Sequence, residues 1–303
     1  MAKGILFHHF HDAADKQAVV LPGSIEKKDF KRIIERVKEK YYLNDADEWI
    51  EKARHGGLTN KDVCLTFDDG IRSQYSIAKE VMDEYGVKAF FFIYSGMYVG
   101  ETPRLEIYRL FRSKFFSSFD DFLEHFLAKM KQEQDVEKIL EQFPEEYLSQ
   151  FSFYSRNERR FRYIRDLILS RSAYNRIMDA LIAEFTTIEK LSESVWIMKD
   201  QLVELSNDGH TIGLHSVSHP TKMEILDDST QYEEYFNNKN HLEAITGKEV
   251  VSIAYPSGSY NKYTLKLMNE LGIQVGFRAD ERAGDQFLLE TPRIDGIDAL
   301  SRL

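Results

Sequence analysis

The chain has 303 residues, of which 43% are hydrophobic, and its formal net charge is −10. This length suits one large α/β domain or one domain with a sizeable insertion, and the hydrophobic fraction excludes wholesale disorder. The acidic balance argues against nucleic-acid binding, because phosphate contacts require Lys and Arg. The single cysteine, Cys64, excludes an intrachain disulfide and a cysteine-based zinc site.

The first residues carry only a short apolar stretch before the histidines begin, which is too short for a signal peptide. No stretch approaches the roughly 18 consecutive apolar residues that a membrane span requires. We therefore expect a soluble, cytoplasmic protein without a transmembrane segment. Nothing in the sequence indicates its oligomeric state.

The first hundred residues alternate between strand and helix patterns. Residues 4–10 predict a short strand, and residues 26–41 carry apolar side chains at helical spacing. Residues 62–67 predict a buried strand, residues 76–85 a helix, and residues 87–94 a further buried strand. Because the strands are continuously apolar, this order predicts a parallel sheet that is covered by helices.

The pattern changes at about residues 104–191, where charged helical periods replace the strands. We interpret this stretch as a helical insertion into one barrel domain that spans residues 1–303. Its predicted helices are residues 105–114, 119–131, 136–142 and 173–185. The stretch also contains five closely spaced arginines, which are Arg156, Arg159, Arg160, Arg162 and Arg165. They form either a solvated helix face or a patch that holds a phosphate or carboxylate of the substrate.

The alternation then resumes. Helices are predicted over residues 199–207, 232–246 and 263–271. Strands are predicted over residues 210–215, 250–255 and 274–277, and residues 288–294 close the chain. Repeated strand–helix units of this number favour a barrel-like α/β fold, in which chemistry takes place at the carboxyl ends of the strands.

Polar residues follow three of these predicted strands. Asp68 and Asp69 end the second strand and precede a glycine, although such a pair is also common in turns. His215 and His219 are four residues apart, so both imidazoles reach one metal ion if the segment turns helically. As an isolated pair they are equally consistent with surface or capping histidines. Residues 253–258 (IAYPSG) form a turn whose backbone N–H groups could face a ligand.

The combination of these motifs is more informative than each alone. One aspartate and two histidines bind a metal ion and leave open positions for water and substrate. The second aspartate can accept a proton from that water. A metal ion lowers the pKa of the water and polarises the carbonyl under attack, so the set predicts metal-dependent hydrolysis.

Residues 66–70 (TFDDG) and 215–219 (HSVSH) resemble the first two motifs of the polysaccharide deacetylase superfamily, also called NodB-homology or carbohydrate esterase family 4. Residues 254–258 resemble its third motif in their Pro and Gly. The resemblance covers residues 1–100 and 196–295. It implies an α/β fold, a distorted (β/α)7 barrel, that removes an N-acetyl or related acyl group from an amino sugar.

The resemblance also implies residue roles. Asp68 would be the general base, and one divalent ion, usually Zn2+, would be bound by Asp69, His215 and His219. The backbone N–H of Ser257 would hold the oxyanion of the tetrahedral intermediate, with Tyr255 as a substrate contact.

Two family features are missing from this chain. Ala254 stands where the family often has an arginine that steadies the catalytic aspartate, and Arg293 or Arg278 is a candidate replacement. Either arginine could instead form an ordinary surface ion pair. No histidine follows His241, so the family's C-terminal general acid is absent. We predict that His9, at the end of the first strand, contacts the substrate or serves as the acid, the alternative being a structural histidine.

These observations predict a metal-dependent hydrolase that removes an N-acetyl or N-formyl group from an amino sugar or glycan precursor. The expected partner is a carbohydrate substrate, nucleotide- or lipid-linked if the enzyme works in the cytoplasm. Two other classes remain open. One is a catalytically impaired carbohydrate-binding relative, and the other is a non-sugar C–N hydrolase on the same fold.

Overall fold

The computed structural model describes residues 2–15, 19–150, 154–282, 284 and 287–303. The chain forms two compact units, one made of Met1–Pro103 with Trp196–Leu303 and the other of Arg104–Val195. In the described part of the chain, no helix combines the length and the apolar character needed to cross a membrane.

The strands of the described ranges all belong to the first unit. They are β1 Lys3–Phe7, β2 Phe10–His11, β3 Ile25–Glu26, β4 Tyr42–Leu43, β5 Asp62–Asp68, β6 Phe90–Ile93, β7 Thr211–Leu214, β8 Ser252–Ala254, β9 Val275–Phe277 and β10 Arg293–Asp295.

The α-helices are divided between the two units. Those of the first unit are α1 Lys27–Lys40, α2 Ala46–Arg54, α3 Lys79–Tyr85, α10 Lys199–Asn207, α11 Asp228–Thr246, α12 Lys262–Glu270 and α13 Gly296–Arg302. Those of the second unit are α4 Arg104–Phe115, α5 Phe119–Met130, α6 Val136–Glu141, α7 Arg156–Tyr163, α8 Arg171–Ile182 and α9 Ile188–Val195.

A parallel sheet in the order β10-β1-β5-β6-β7-β8-β9 forms the core of the first unit. Its two ends nearly meet, because Phe277 of β9 forms a parallel bridge with Thr291, shortly before β10. Seven strands of the described ranges therefore form a nearly closed barrel, which confirms the predicted distorted (β/α)7 fold.

Both faces of the barrel strands are buried, which explains their continuous apolar sequences. Phe67 and Phe91 stack at 4.8 Å on the outer face, where Phe30 of α1 packs against Phe67. Phe90 and Phe277 belong to a second cluster that draws on strands from across the ring, and this cluster fills the barrel interior.

The structure differs from the sequence prediction at the first strand. β1 ends at Phe7 and does not continue to residue 10. The next strand, Phe10–His11, pairs with Ile25–Glu26 outside the barrel, and the Phe10 N–H donates to Ser73 Oγ at 3.0 Å. These contacts draw the chain away from the barrel at His8, so strand alternation does not apply to the histidines that follow β1.

Two further boundaries also differ. The helix predicted over residues 76–85 begins as a π-helical turn, Gln74–Ala78, before α3. The helical stretch predicted to end at residue 191 continues through α9 to Val195, where Leu191 and Val195 are both buried. The polar residues between these two positions had obscured the last helical turn.

Candidate metal centre

The three motifs meet at one end of the barrel. Asp68 ends β5 and Asp69 directly follows it, His215 follows β7, and Tyr255 follows β8. Because β5 to β8 are neighbouring parallel strands, their carboxyl ends lie at the same rim. The fold therefore collects the predicted site residues where such barrels perform chemistry.

Asp69, His215 and His219 each offer one ligand atom, and these atoms all lie within 4.8 Å of one another. Asp69 Oδ1 is 3.3 Å from His215 Nε2 and 3.4 Å from His219 Nε2. This oxygen is buried and accepts no hydrogen bond from the described residues. A buried carboxylate oxygen that faces two imidazole nitrogens is a donor set that a divalent cation fits.

The orientation of His215 is fixed by the third motif. Its Nδ1 lies 2.7 Å from the carbonyl oxygen of Ala254. A carbonyl only accepts hydrogen bonds, so Nδ1 carries a proton and Nε2 is the ring nitrogen that faces Asp69. The His215 backbone N–H donates to Asn238 Oδ1 at 3.0 Å, and the Asn238 amide donates to the Ile93 carbonyl. This side chain of α11 thus connects the ends of β6 and β7.

The segment between the two histidines is not helical, so the expectation of a helical turn is wrong. Ser216 and His219 have positive φ angles of 66° and 56°. Glu234 of α11 accepts hydrogen bonds from the N–H groups of Val217 and Ser218, both at 2.9 Å. Because this carboxylate binds the backbone donors, the loop folds back and brings the second imidazole to the first.

Asp68 is paired with an arginine from the last barrel strand. Arg293 donates two hydrogen bonds to the Asp68 carboxylate, at 2.7 and 2.8 Å, and both side chains are buried. Burial opposes ionisation, but the charges of Arg293 and His215 outweigh it and hold the pKa of Asp68 below its usual value. The other candidate, Arg278, instead binds Asp280 at 2.8 Å.

Asp69 is also ionised. Burial opposes its charge, but the neighbouring imidazoles of His215, His219 and His8 outweigh it and hold the pKa of Asp69 below its usual value. Its backbone has a φ of 76°, a left-handed conformation that non-glycine residues rarely adopt. Such strain is concentrated at functional sites, and here it directs the carboxylate at the two histidines.

Of the histidines that follow β1, His8 is the one that the structure places beside Asp69. Its Nε2 is 3.9 Å from Asp69 Oδ2, and its side chain is 37% exposed. His9 is buried, and its carbonyl accepts the Ile25 N–H at 2.8 Å. The acid or substrate role of His9 therefore stays a prediction, and His8 is an additional candidate that sequence alternation did not select.

Tyr255 and Ser257 lie in the turn that follows β8. Tyr255 is fully buried, and its ring packs on Tyr260 with the centroids 4.4 Å apart. Ser257 is exposed, with a φ of 54°, and Gly258 follows with a φ of 67°. The turn adjoins Ala254, which holds His215, and the roles of Tyr255 and Ser257 stay predictions.

Sequence reasoning missed a buried glutamine that connects two strand ends. The Gln74 side-chain amide donates to the carbonyl of His8 at 2.9 Å and to that of Asp68 at 2.5 Å. It lies on the π-helical turn, whose sequence gives no sign of this role. Asn238 was also missed, although the sequence contains a signal for it. The buried stripe of α11 has Gln231 and Asn238 at positions where apolar residues are normal.

The sequence model of the polysaccharide deacetylase family matches residues 55–142 and 176–276, and these segments contain Asp69, His215 and His219. The chain belongs to the polysaccharide deacetylase family. This membership indicates a hydrolase of amide bonds in sugars, and therefore a carbohydrate substrate. Among curated protein sequences, none gives a significant match.

Solved structures show the same fold. The Streptococcus pyogenes deacetylase PplD, in complex with acetate, is 17% identical, with a TM-score of 0.57 over 99% of this chain and 96% of that chain. IcaB from Ammonifex degensii is 14% identical, with a TM-score of 0.56 over 97% of this chain and 91% of that chain. A de-N-acetylase from Aggregatibacter actinomycetemcomitans is 12% identical, with a TM-score of 0.53 over 97% of this chain and 95% of that chain.

Proposed function

We propose that this family member is a metal-dependent N-deacylase that removes an N-acetyl or N-formyl group from an amino sugar or glycan precursor. The observation that carries the proposal is the convergence of Asp69 Oδ1 with the Nε2 atoms of His215 and His219. One carboxylate and two imidazoles suit Zn2+, which is the ion that we infer.

When bound, such an ion supplies Lewis-acid chemistry, because it lowers the pKa of water and polarises an acyl carbonyl. Asp68 then serves as the general base, since it is ionised and Arg293 fixes its orientation. His8 is the proposed proton donor to the departing amine, because its exposed ring lies beside Asp69. The backbone N–H of Ser257 is proposed to stabilise the oxyanion.

The test combines metal analysis with product release. The protein is freed of metal by chelation, reloaded with single divalent ions, and incubated with N-acetylated and N-formylated amino sugars, including nucleotide- and lipid-linked forms. We expect one bound ion per chain and release of acetate or formate. Asp68→Asn should retain the ion and lose turnover, whereas His215→Ala should lose both. His55→Ala is the matched control, because His55 is exposed and its side chain binds Glu51 rather than a residue of the site.

Three results would contradict this proposal in different ways. A wild-type protein that binds no divalent ion would end the hydrolase interpretation. A protein that binds the ion but releases no acyl group would be a carbohydrate-binding relative. Release from non-sugar amides alone would identify a C–N hydrolase of another substrate class.

A further inference from the structure

The second unit gathers arginine side chains that carboxylates do not balance. Arg109 pairs with Glu106 at 3.1 Å, and Arg165 pairs with Asp166 at 2.5 Å. Two further arginines, Arg112 of α4 and Arg162 of α7, have no ion pair or hydrogen bond with any described residue. Four guanidinium groups therefore face two carboxylates, which leaves about two positive charges without a counterion.

The other arginines of the run between residues 156 and 165 are already engaged. Arg156 forms an ion pair with Glu145, and Arg159 donates to the carbonyl of the same glutamate. Arg160 lies over the ring of Phe143 at 5.9 Å. The run thus divides into three residues that hold the 143–147 segment in place and two, Arg162 and Arg165, whose charges act on Arg112 of α4.

Aromatic rings support these guanidinium groups. Arg112 lies over Phe119 at 5.5 Å and over Phe122 at 5.8 Å. Arg165 lies over Phe161 at 5.8 Å, and the Phe122 and Phe161 centroids are 5.4 Å apart. A guanidinium that stacks on a ring keeps its N–H edge available for a ligand. The rings therefore hold the guanidinium groups of Arg112 and Arg165 in neighbouring positions. Arg165 Nε and Nη2 already donate to Asp166, whereas the Arg112 fork has no carboxylate partner among the described residues.

Electrostatics oppose this arrangement when no anion is present. Burial lowers the pKa of Arg112, Tyr174 opposes that shift, and the like charges of Arg109, Arg162 and Arg165 lower it further. Burial also raises the pKa of Tyr174 to about 12, so its hydroxyl remains a neutral hydrogen-bond donor. A bound anion would relieve the repulsion between the arginines.

We propose that Arg112, Arg162 and Arg165 form a binding site for a phosphoryl group in the second unit. A phosphate carries close to two negative charges at neutral pH, which matches the two guanidinium groups without carboxylates. Its oxygens accept paired hydrogen bonds from arginine forks, and these are among the strongest that proteins form. A single carboxylate would leave one positive charge uncompensated.

Calorimetric titration of the full-length, chelated protein with inorganic phosphate at low ionic strength tests the site without contribution from the metal centre. We expect saturable binding that is weakened about tenfold or more in Arg112→Gln and in Arg162→Gln, because each variant loses a charge-assisted hydrogen bond. Arg156→Gln is the matched control, since it removes the same charge from the same run but belongs to the Glu145 ion pair. Its affinity should equal that of the wild type.

Folding is checked by circular dichroism, and Arg112→Lys, which keeps the charge but loses the fork, should bind with intermediate affinity. A parallel arm uses vesicles that contain phosphatidic acid, with phosphatidylcholine vesicles as the neutral reference. Arginine-dependent binding to vesicles alone would identify a lipid headgroup, whereas binding of free phosphate would identify a soluble ligand. Absence of binding in both arms, or equal weakening by Arg156→Gln and Arg112→Gln, would overturn the proposal.

Discussion

At the scale of single residues, the pairing with Arg293 explains how the chain positions Asp68 without an arginine at position 254. The Arg293 side chain crosses β1 at Gly4, where an added Cβ would lie only 3.0 Å from Arg293 Cγ. A glycine at this position therefore lets an arginine from the last strand reach the carboxylate of β5. The guanidinium is also fixed by the Arg278 carbonyl, which accepts a hydrogen bond from its Nε.

Arg293→Gln should destabilise the protein by roughly 3–5 kcal/mol, because it leaves the buried Asp68 charge without its partner. Urea unfolding at neutral pH measures the loss. The double variant with Asp68→Asn should recover much of it, since the unpaired charge is then removed as well. Arg278→Gln is the control, because Arg278 is partly buried but binds Asp280 rather than Asp68. An equal loss of unfolding free energy in both single variants would show that the Asp68–Arg293 pair stabilises the fold no more than an ordinary ion pair does.

The sequence predicted that Asp68, Asp69 and the histidines His215 and His219 lie at one rim of the barrel. Each of these motifs follows a strand that could be recognised by its continuous apolar sequence. The sequence named Arg293, with Arg278 as the alternative, but could not show which of them pairs with Asp68, since the pairing depends on which strand neighbours β1. The sequence also could not select His8. The strand β1 ends at Phe7, and the direction of the loop that follows is set by contacts with the distant residues Ser73 and Ile25. Long-range contacts of this kind leave no local pattern.

At the scale of elements, the amino end of β5 is held by a hydrogen-bond network, and its carboxyl end leads into the candidate site. Asp62, at the start of the strand, accepts two hydrogen bonds from Thr59, both at 2.7 Å. It also accepts one from Asn44 at 2.9 Å and one from Lys52 at 3.1 Å. Because β5 ends in Asp68 and leads directly into Asp69, this network fixes the strand that positions both aspartates.

Asp62→Asn should lower the free energy of unfolding at neutral pH. It should also make this free energy depend less on pH in the acidic range. Burial opposes the charge of Asp62, but the bonds from Thr59, Asn44 and Lys52 outweigh it and lower its pKa from 3.8 to about 2. A depressed pKa stabilises the fold above 3.8, and this stabilisation is lost as the pH falls towards 2. The shift corresponds to about 2 kcal/mol at most.

Urea unfolding of the wild type and of Asp62→Asn at a series of acidic pH values measures this effect. The two proteins should differ most at neutral pH and converge as the wild-type carboxylate becomes protonated. Asp29→Asn is the control, because Asp29 is partly exposed on the first turn of α1 and its side chain pairs with Arg32. A difference that stays constant with pH would assign the effect of Asp62 to shape rather than to charge.

The strands were easier to predict than the helices, since burial on both faces made their sequences continuously apolar. Helix α7 was missed because its sequence is rich in arginine and only Phe161 is buried, although Ser155 and Glu158 form a capping box that the sequence displays. The π-helical turn had no such signal. It depends on the bonds from Gln74 to two strand ends, which exist only in the folded barrel.

At the scale of the whole molecule, the metal centre unites parts of the chain that are remote in sequence. Asp69 follows the second barrel strand, whereas His215 and His219 come only after the helical Arg104–Val195 unit. The unfolded chain therefore contains no preformed ligand set, so an ion that binds the folded protein contributes to its stability. This linkage provides a test that does not depend on knowing the substrate.

Saturation with Zn2+ should raise the free energy of unfolding, by about 2.7 kcal/mol when the free ion is at 100 times its dissociation constant. Urea unfolding of chelated and zinc-loaded protein gives the increment directly. His219→Ala should abolish most of it, since one of three ligands is lost, whereas His55→Ala should retain it because His55 is an exposed residue just after α2 that binds Glu51. If the increment survives in His219→Ala, the stabilising ion binds elsewhere, and the convergence of the three side chains at the barrel rim has another cause.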